Sequence, residues 1–454
     1  MTDRALQPGT RLELELDGCG TGGEGVGRAA GRAVFVPRAA PGERVRARVV
    51  HAGRRRVMAE LEAVLRPAPG RVEPACAQFG RCGGCQLMHL DAAAQLDFKR
   101  RLLRDALRTV AGFDPGAGVA VAAAERNLDY RNRGQYPVGR VAGRVATGFF
   151  APRSHRLVPT ERCRIHHPAL DAAVAAVRAW AERKRVPIYD ERRRRGWLRH
   201  VVVRRSQADG RVLVSLVAAA ERGGGYGELV RLLRTRAEGV GGLVLNVNPA
   251  ATNVILGQRN RCLWGRDWIE ERLDGLRFRL STGSFFQVHT AQAAVLFDRV
   301  RDFAAGASGP VVDGYCGVGV LAALLAADGR EVIGIESAAA AVADARRSAE
   351  RNRLALRLEP GQVERVLPGL VAAGLRPGVL LLDPPRKGCA PEVLDAAAAS
   401  GCERIGYVSC HPGTLARDLA RLFERGYRLE RLEAVDMFPQ TVHLETFAGL
   451  VLDT

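Results

Sequence analysis

Over the first sixty-odd residues, apolar side chains recur at every second position in short runs, RLELEL, AVFVP, ERVRARVV and RRVMAELEAVL, broken by turns such as GCGTGGEGVG and APGE. Period-two alternation gives a strand one apolar face and one wet face, so this texture predicts a small β-barrel from Arg11 to about Val64. Three prolines and a glycine within 67–74 mark a linker, and a helix is expected from about Asp91 to Val110. From about Val121 to Asp274, strand-like WLRHVVVRR and VLVSLVA accompany helical LDAAVAAVRAWAERKR, the pattern of an α+β unit. After Pro310 strands and helices alternate: PVVD, EVIGIE, GVLLLD and RIGYVS are each followed by a helical stretch, as in a doubly wound α/β sheet.

Length and charge narrow the picture. A chain of 454 residues exceeds one compact core, so a multidomain protein is expected. The 68 Lys+Arg against 49 Asp+Glu leave a formal charge of +19, which points to a polyanionic partner. Only Lys99, Lys184 and Lys387 are lysines; the other cations are arginines, whose planar fork suits phosphates and base edges. The start, MTDRALQPGT, has no apolar run behind a basic segment and no later stretch is long and apolar enough for a bilayer, so no membrane association and a cytoplasmic location are expected. In that setting ten cysteines suit metal binding, catalysis or burial better than disulfides.

Four segments carry candidate chemistry. Strand PVVD runs into Asp313-Gly-Tyr-Cys-Gly-Val-Gly319, where glycines permit a tight turn and close backbone approach to a ligand at a helix start. The next strand ends in Glu336, at the spacing from which an acidic side chain grips a ribose hydroxyl, so the pair suggests an adenosine-bearing cofactor. GVLLLD delivers Asp383-Pro-Pro-Arg-Lys-Gly388 to the same sheet edge, and Arg386 stands where amino-methyltransferases place a stacking aromatic. RIGYVS ends in Cys410, ahead of a helix expected near Thr414; the helix terminus and nearby arginines are expected to depress the thiol pKa. Near the C-terminus, DMFPQTVHLET ends two strand-like runs' connection with Glu445, a candidate partner for Cys410.

DGYCGVG, IGIE, LLDPPRKG, YVSCHPGTLARDL and DMFPQTVHLET, taken together and in this order, resemble the RNA 5-methyluridine methyltransferases, and FFQVH at Phe285–His289 resembles their entry to the catalytic domain. The barrel, with its Gly-rich turn and PGERV, is similar to a TRAM/OB-like RNA-binding module. The resemblance implies a barrel over 1–66, a central domain over 67–90 and 121–274, and a catalytic domain over 91–120 and 275–454. It further implies S-adenosylmethionine as cofactor, held by Gln287, Tyr315, Glu336 and Asp383, with Cys410 as nucleophile and Glu445 as base. A thiolate is needed because uracil C5 is a poor nucleophile; addition at C6 creates an enolate that accepts a methyl group, and a base then removes the C5 proton. Two positions depart from the family pattern: His411 replaces an Asn, and Gln362 stands where Asn or Asp is usual.

The cysteine set Cys76-x5-Cys82-x2-Cys85, with Cys163 as a distant fourth, suits either tetrahedral zinc or an iron–sulfur cubane. The resemblance favours a [4Fe–4S] cluster. Arg54–Arg56, Lys99–Arg101, Arg131 with Arg133, and Arg192–Arg195 are candidate phosphate contacts. The expected partner is RNA, ribosomal RNA ahead of transfer RNA, with monomer as the default state. Cytosine-C5 methylation and a silent RNA-binding protein are the competing readings; Glu445 in HLET argues against the first, and retention of both Cys410 and Glu445 against the second.

Overall fold

The computed structural model describes residues 6–116 and 118–453. The alternating runs form five strands, β1 (Arg11–Cys19), β2 (Glu24–Ala29), β3 (Arg32–Pro37), β4 (Arg44–Ala52) and β5 (Arg56–Arg66), closed into a barrel in the order β1-β2-β3-β5-β4. Alternate residues Leu14, Leu16, Val34, Val36, Val45, Ala47 and Val49 point inward and are buried, which is why period two appeared in the sequence. Helix α1 (Ala92–Ala106) starts where Asp91 caps it, the carboxylate accepting the Ala94 N–H at 2.8 Å, and continues as one π-helical turn through Ala111. It leads to the short strand β6 (Ala120–Ala122).

The central unit contains β7 (Arg133–Val141), β8 (Arg144–Phe150), β9 (Leu157–Pro159), α2 (Pro168–Arg183), β10 (Leu198–Arg205), β11 (Val212–Ala218), α3 (Tyr226–Arg236), β12 (Val240–Val247) and β13 (Arg259–Gly265). Its seven strands run β13-β12-β11-β10-β7-β8-β9, and α2 and α3 cover the sheet around Trp180, Leu229 and Val201. A hairpin of β14 (Trp268–Leu273) and β15 (Leu276–Ser281) then sends Ile269, Phe278 and Leu280 into the core of the last unit.

That unit comprises α4 (Thr290–Ala304), β16 (Val311–Gly314), α5 (Val320–Ala327), β17 (Val332–Glu336), α6 (Ala339–Asn352), β18 (Arg357–Pro360), α7 (Val363–Ala372), β19 (Val379–Leu382), α8 (Pro391–Ala399), β20 (Arg404–Ser409), α9 (Pro412–Phe423), β21 (Tyr427–Val435) and β22 (Glu445–Leu452). The sheet runs β18-β17-β16-β19-β20-β22-β21-β6, parallel through β20, with β22 antiparallel to both neighbours. Helices bury apolar layers on both faces, as expected of a doubly wound sheet, and Leu103 and Leu107 at the end of α1 belong to one of these layers. Among the described residues no helix is long and apolar enough to cross a membrane.

The barrel is docked by a glycine. Gly23 in the β1–β2 turn has φ 87°, and a Cβ there would lie 2.6 Å from Gln86 Cβ and 2.7 Å from Val442 Cγ1. Gly31 has φ 73° but open space around it, so the two separate backbone strain from docking. Gly31→Ala is expected to cost about 1–2 kcal/mol of strain, and Gly23→Ala to cost that plus about 1–3 kcal/mol of overpacking. Denaturant unfolding of both variants checks this; equal losses would show that the barrel does not rest on this contact.

Candidate active site

The parallel strands end at one edge, where Asp313 and Glu336 lie at the ends of their strands and Asp383 and Cys410 stand just past theirs. β16 delivers Asp313, after which Tyr315, Gly317 and Gly319 all have positive φ, 66°, 58° and 73°. A tyrosine in this region stores about 1–3 kcal/mol of strain. The ring packs on the apolar layer behind it and the hydroxyl donates to Glu364 Oε1 at 3.3 Å. Glu336, the last residue of β17, accepts the Gly317 N–H at 3.0 Å and, through its other oxygen, the Ala338 N–H at 2.6 Å, so its carboxylate is fixed against the glycine turn. Asp313 is buried, its Oδ2 has no hydrogen-bond partner, and burial with the neighbouring Asp383 raises its pKa to about 8.

Asp383 follows β19 and is pushed up to about 7 by burial. The Asp383–Gly388 loop is braced by α9: Thr414 Oγ1 donates to the Arg386 carbonyl at 3.3 Å, and Arg417 Nη2 to the Lys387 carbonyl at 2.9 Å. Gly388, φ 77°, fits because a Cβ there would strike Arg417 and Asp418 at 2.5 Å.

Cys410 and Glu445 face each other through strand register. β20 and β22 pair antiparallel with Ser409 opposite Thr446, so the next position along each strand sets Cys410 against Glu445 at the end of the ladder. Glu445 is buried and its pKa stands well above the ordinary carboxylate range, through burial and the nearby Asp383, with Arg386 opposing. The expectation of a depressed thiol pKa at Cys410 is corrected: it is raised to about 11, because burial and the charges of Glu445 and Asp383 outweigh Arg386. His411 caps α9, its Nδ1 accepting the Thr414 N–H at 3.2 Å, which is the task an Asn performs at a helix N-cap. Arg386 donates to the His443 ring, Nη2 to Nε2 at 2.8 Å, and burial and this cation lower His443 to about 4, so it accepts as a neutral imidazole.

The segment carrying Glu445 is held by the N-terminal half of the chain, through residues the sequence did not single out for this. Lys99 on α1 is fully buried and pairs with Asp436, also donating to the Phe438 carbonyl at 3.1 Å. The expectation that Lys99 contacts phosphate is therefore corrected: the ammonium points into the protein. Gln440, at φ 72°, exchanges hydrogen bonds with Gln95, and its carbonyl accepts the N–H groups of Gln86 and Leu87 at 3.1 and 3.0 Å. Tyr130 donates to the Pro439 carbonyl at 3.0 Å. Gln95 and Lys99, four positions apart on α1, carry no signal that would mark them in advance as supports of a segment 337 to 345 residues away.

Gln287 is buried on the segment before α4, its carbonyl accepting from Asn132 Nδ2 at 3.0 Å. Cys76, Cys82, Cys85 and Cys163 lie apart from Cys410 and line one cavity of about 480 Å³ with the half-buried Arg131 and Arg133. Among the described residues no three His, Cys, Asp or Glu side chains close into a group that could hold a metal ion.

A doubly wound domain with acidic strand ends, a braced Asp-Pro-Pro loop and a thiol facing a buried carboxylate defines a methyltransferase-type site. Residues 364–454 match the family model of the tRNA (uracil-5-)-methyltransferases. The chain is 37% identical over 451 residues to an uncharacterized RNA methyltransferase of Listeria monocytogenes, and 39% over 459 residues to one of Gloeobacter violaceus, covering 99% of each chain. It resembles the crystal structure of the Pyrococcus abyssi tRNA (uracil-54, C5)-methyltransferase in complex with S-adenosyl-L-homocysteine, with TM-score 0.77, 27% identity and coverage of 97% of this chain and 99% of that one. The chain belongs to the RNA 5-methyluridine methyltransferase family and is an enzyme of that class.

The raised carboxylates have a measurable consequence. Asp383 near 7 and Asp313 near 8, against an ordinary 3.8, mean that the folded protein binds these protons more tightly than the unfolded chain. Their stabilisation is complete below the unfolded value and is lost as pH rises through the folded ones. Asp383→Asn removes one of them, so the melting temperature of the variant relative to wild type should climb between pH 5 and pH 8 in cofactor-free protein. Thermal melts across that range test it, and a pH-independent difference would contradict the burial argument.

Proposed function

We propose that this enzyme methylates C5 of a uridine in RNA, ribosomal RNA in the first place, through a covalent bond between Cys410 Sγ and C6 of the base. The observation that carries the reading is the register of β20 and β22, which sets the thiol and a buried carboxylate face to face beside Arg386. The residues fit S-adenosylmethionine: a strained glycine turn opens at a helix start, Glu336 stands against it, and Asp313 keeps an unpartnered buried oxygen. Acidic strand ends also suit a cationic sulfonium. Gln287, Tyr315, Glu336 and Asp383 would hold this cofactor, which supplies the methyl group as an electrophile.

The chain's own groups perform the remaining steps. Cys410 gives its proton to solvent, its Sγ bonds to C6, and the C5–C6 π pair shifts into an enolate that makes C5 nucleophilic. After C5 is methylated, Glu445 removes its remaining proton, the C5–C6 double bond re-forms and the thiolate leaves. Arg386 offsets negative charge among Cys410, Glu445 and Asp383, which burial prevents from ionising all together.

The four cysteines suit a [4Fe–4S] cluster of structural role. Cys76, Cys82, Cys85 and Cys163 line one cavity, and four thiolates are the ligand number that a cubane takes. The barrel is read as a TRAM-type RNA-binding module. Barrel and cysteine segment together favour ribosomal RNA; transfer RNA is the second reading, favoured by the likeness to the Pyrococcus abyssi enzyme. Mapping 5-methyluridine in both RNAs of a deletion strain decides between them.

Two predictions follow from the chemistry. Cys410→Ala should form neither product nor covalent complex, while Glu445→Gln should methylate C5 and accumulate a denaturation-resistant protein–RNA adduct carrying labelled methyl. Denaturing gels show both; adduct from the Cys410→Ala protein would remove the nucleophile assignment, and full turnover by Glu445→Gln the base. Anaerobically purified protein should carry about four iron and four sulfide per chain, and stoichiometric zinc in their place would overturn the cluster.

A further inference from the structure

A groove of about 1380 Å³ opens on the central unit, lined entirely by residues 81–200 and by none of the candidate catalytic or cofactor residues. That volume exceeds the range of small-molecule pockets, about 300–1,000 Å³. Arg81, Arg140, Arg156, Arg192, Arg193 and Arg195 face it, all exposed, and among the described residues none makes a salt bridge. The two carboxylates in the lining are already engaged. Asp190 accepts the N–H groups of Arg192 and Arg193 at 2.9 and 3.0 Å, and Glu191 pairs with His155 at 2.7 Å.

The arginine tip is a built turn. Asp190 and Arg195 form an antiparallel bridge, with the Asp190 N–H donating to the Arg195 carbonyl at 2.8 Å. Gly196 closes it at φ 114°, where a Cβ would sit 2.2 Å from the Ile188 carbonyl oxygen. Aromatic faces accompany the cations: Phe150 stacks with His155 at 5.0 Å between centroids, and the Tyr189 ring lies under the Arg199 guanidinium at 4.7 Å. Arginines outside any salt bridge, beside half-buried aromatic rings in one groove, match single-stranded nucleic acid, whose phosphates meet the cations while bases stack. A lipid surface would need a broad face of exposed apolar side chains, whereas Val141 is the one large apolar residue of this lining that is exposed.

We propose that this groove binds a single-stranded segment of the substrate RNA outside the modified uridine, with Arg192, Arg193 and Arg195 on successive phosphates and Phe150 or Tyr189 against a base. The proposal rests on the RNA-methylating function, and it gives the arginine run of the sequence a task separate from the chemistry. It places an anchoring site on the central unit that the catalytic residues do not contribute to.

The test uses the full chain and a fluorescein-labelled oligouridylate of twelve nucleotides, with binding followed across potassium chloride from 50 to 200 mM. In Arg192→Gln/Arg193→Gln/Arg195→Gln protein the slope of log affinity against log salt should fall by about 2, at about 0.7 per lost phosphate contact. Affinity at the low-salt end should drop at least about tenfold, with S-adenosylhomocysteine affinity unchanged as the control for folding. An oligonucleotide carrying 4-thiouridine should photocrosslink to peptides containing Phe150 or Tyr189. An unchanged slope and affinity, crosslinks confined to other peptides, or loss of binding only to anionic phosphatidylglycerol vesicles would each overturn the proposal. Because no turnover is required, a protein that binds here yet methylates no uridine would count against the proposed chemistry and not against the groove.

Discussion

The buried contact between Lys99 on α1 and Asp436 is the constraint on which the site depends. An ammonium fully removed from water survives only with a close anion and further acceptors, and here Asp436 and the Phe438 carbonyl provide them. Losing one partner of such a pair typically costs about 3–5 kcal/mol, because the other is left as an uncompensated buried charge. The Gln95–Gln440 exchange and the Tyr130 hydroxyl extend the clasp along the same segment. Glu445 therefore stands opposite Cys410 because of two supports: the β20–β22 ladder fixes its register, and the N-terminal half of the chain fixes the turn that leads into it.

Charge within the site follows from the same packing. Cys410, Glu445 and Asp383 crowd one guanidinium in a poorly hydrated edge, and all three pKa values rise. Such a site resists carrying all three negative charges at once, and Arg386 favours the ionised forms of Cys410 and Glu445 against that burial. The barrel reaches this centre too, since Gly23 lies against Val442, three residues before Glu445.

Much of this was legible in the sequence because it depends on local rules. Alternation gave the barrel strands, Asp91 announced the start of α1, and Asp313, Glu336, Asp383 and Cys410 each stand at or just beyond the carboxyl end of a strand of the parallel sheet, where ligands of open α/β folds bind. What could not be read depends on partners distant in the chain. Lys99 looked like its basic neighbours, and only the fold shows that it faces Asp436. The thiol pKa of Cys410 was misjudged because the helix end and arginines are visible in sequence, whereas burial and the opposed carboxylates are not. His411 departs from the expected Asn yet caps the helix in the same way, an equivalence that a residue name does not reveal.

The most direct test of the claim that the N-terminal half positions Glu445, the proposed base, is the decay of the protein–RNA adduct in Lys99→Met enzyme. With the clasp released and S-adenosylhomocysteine binding retained, the adduct should still form through Cys410 but persist far longer than in wild type, as Glu445 loses its fixed position. An adduct that forms and resolves at the wild-type rate would contradict this account.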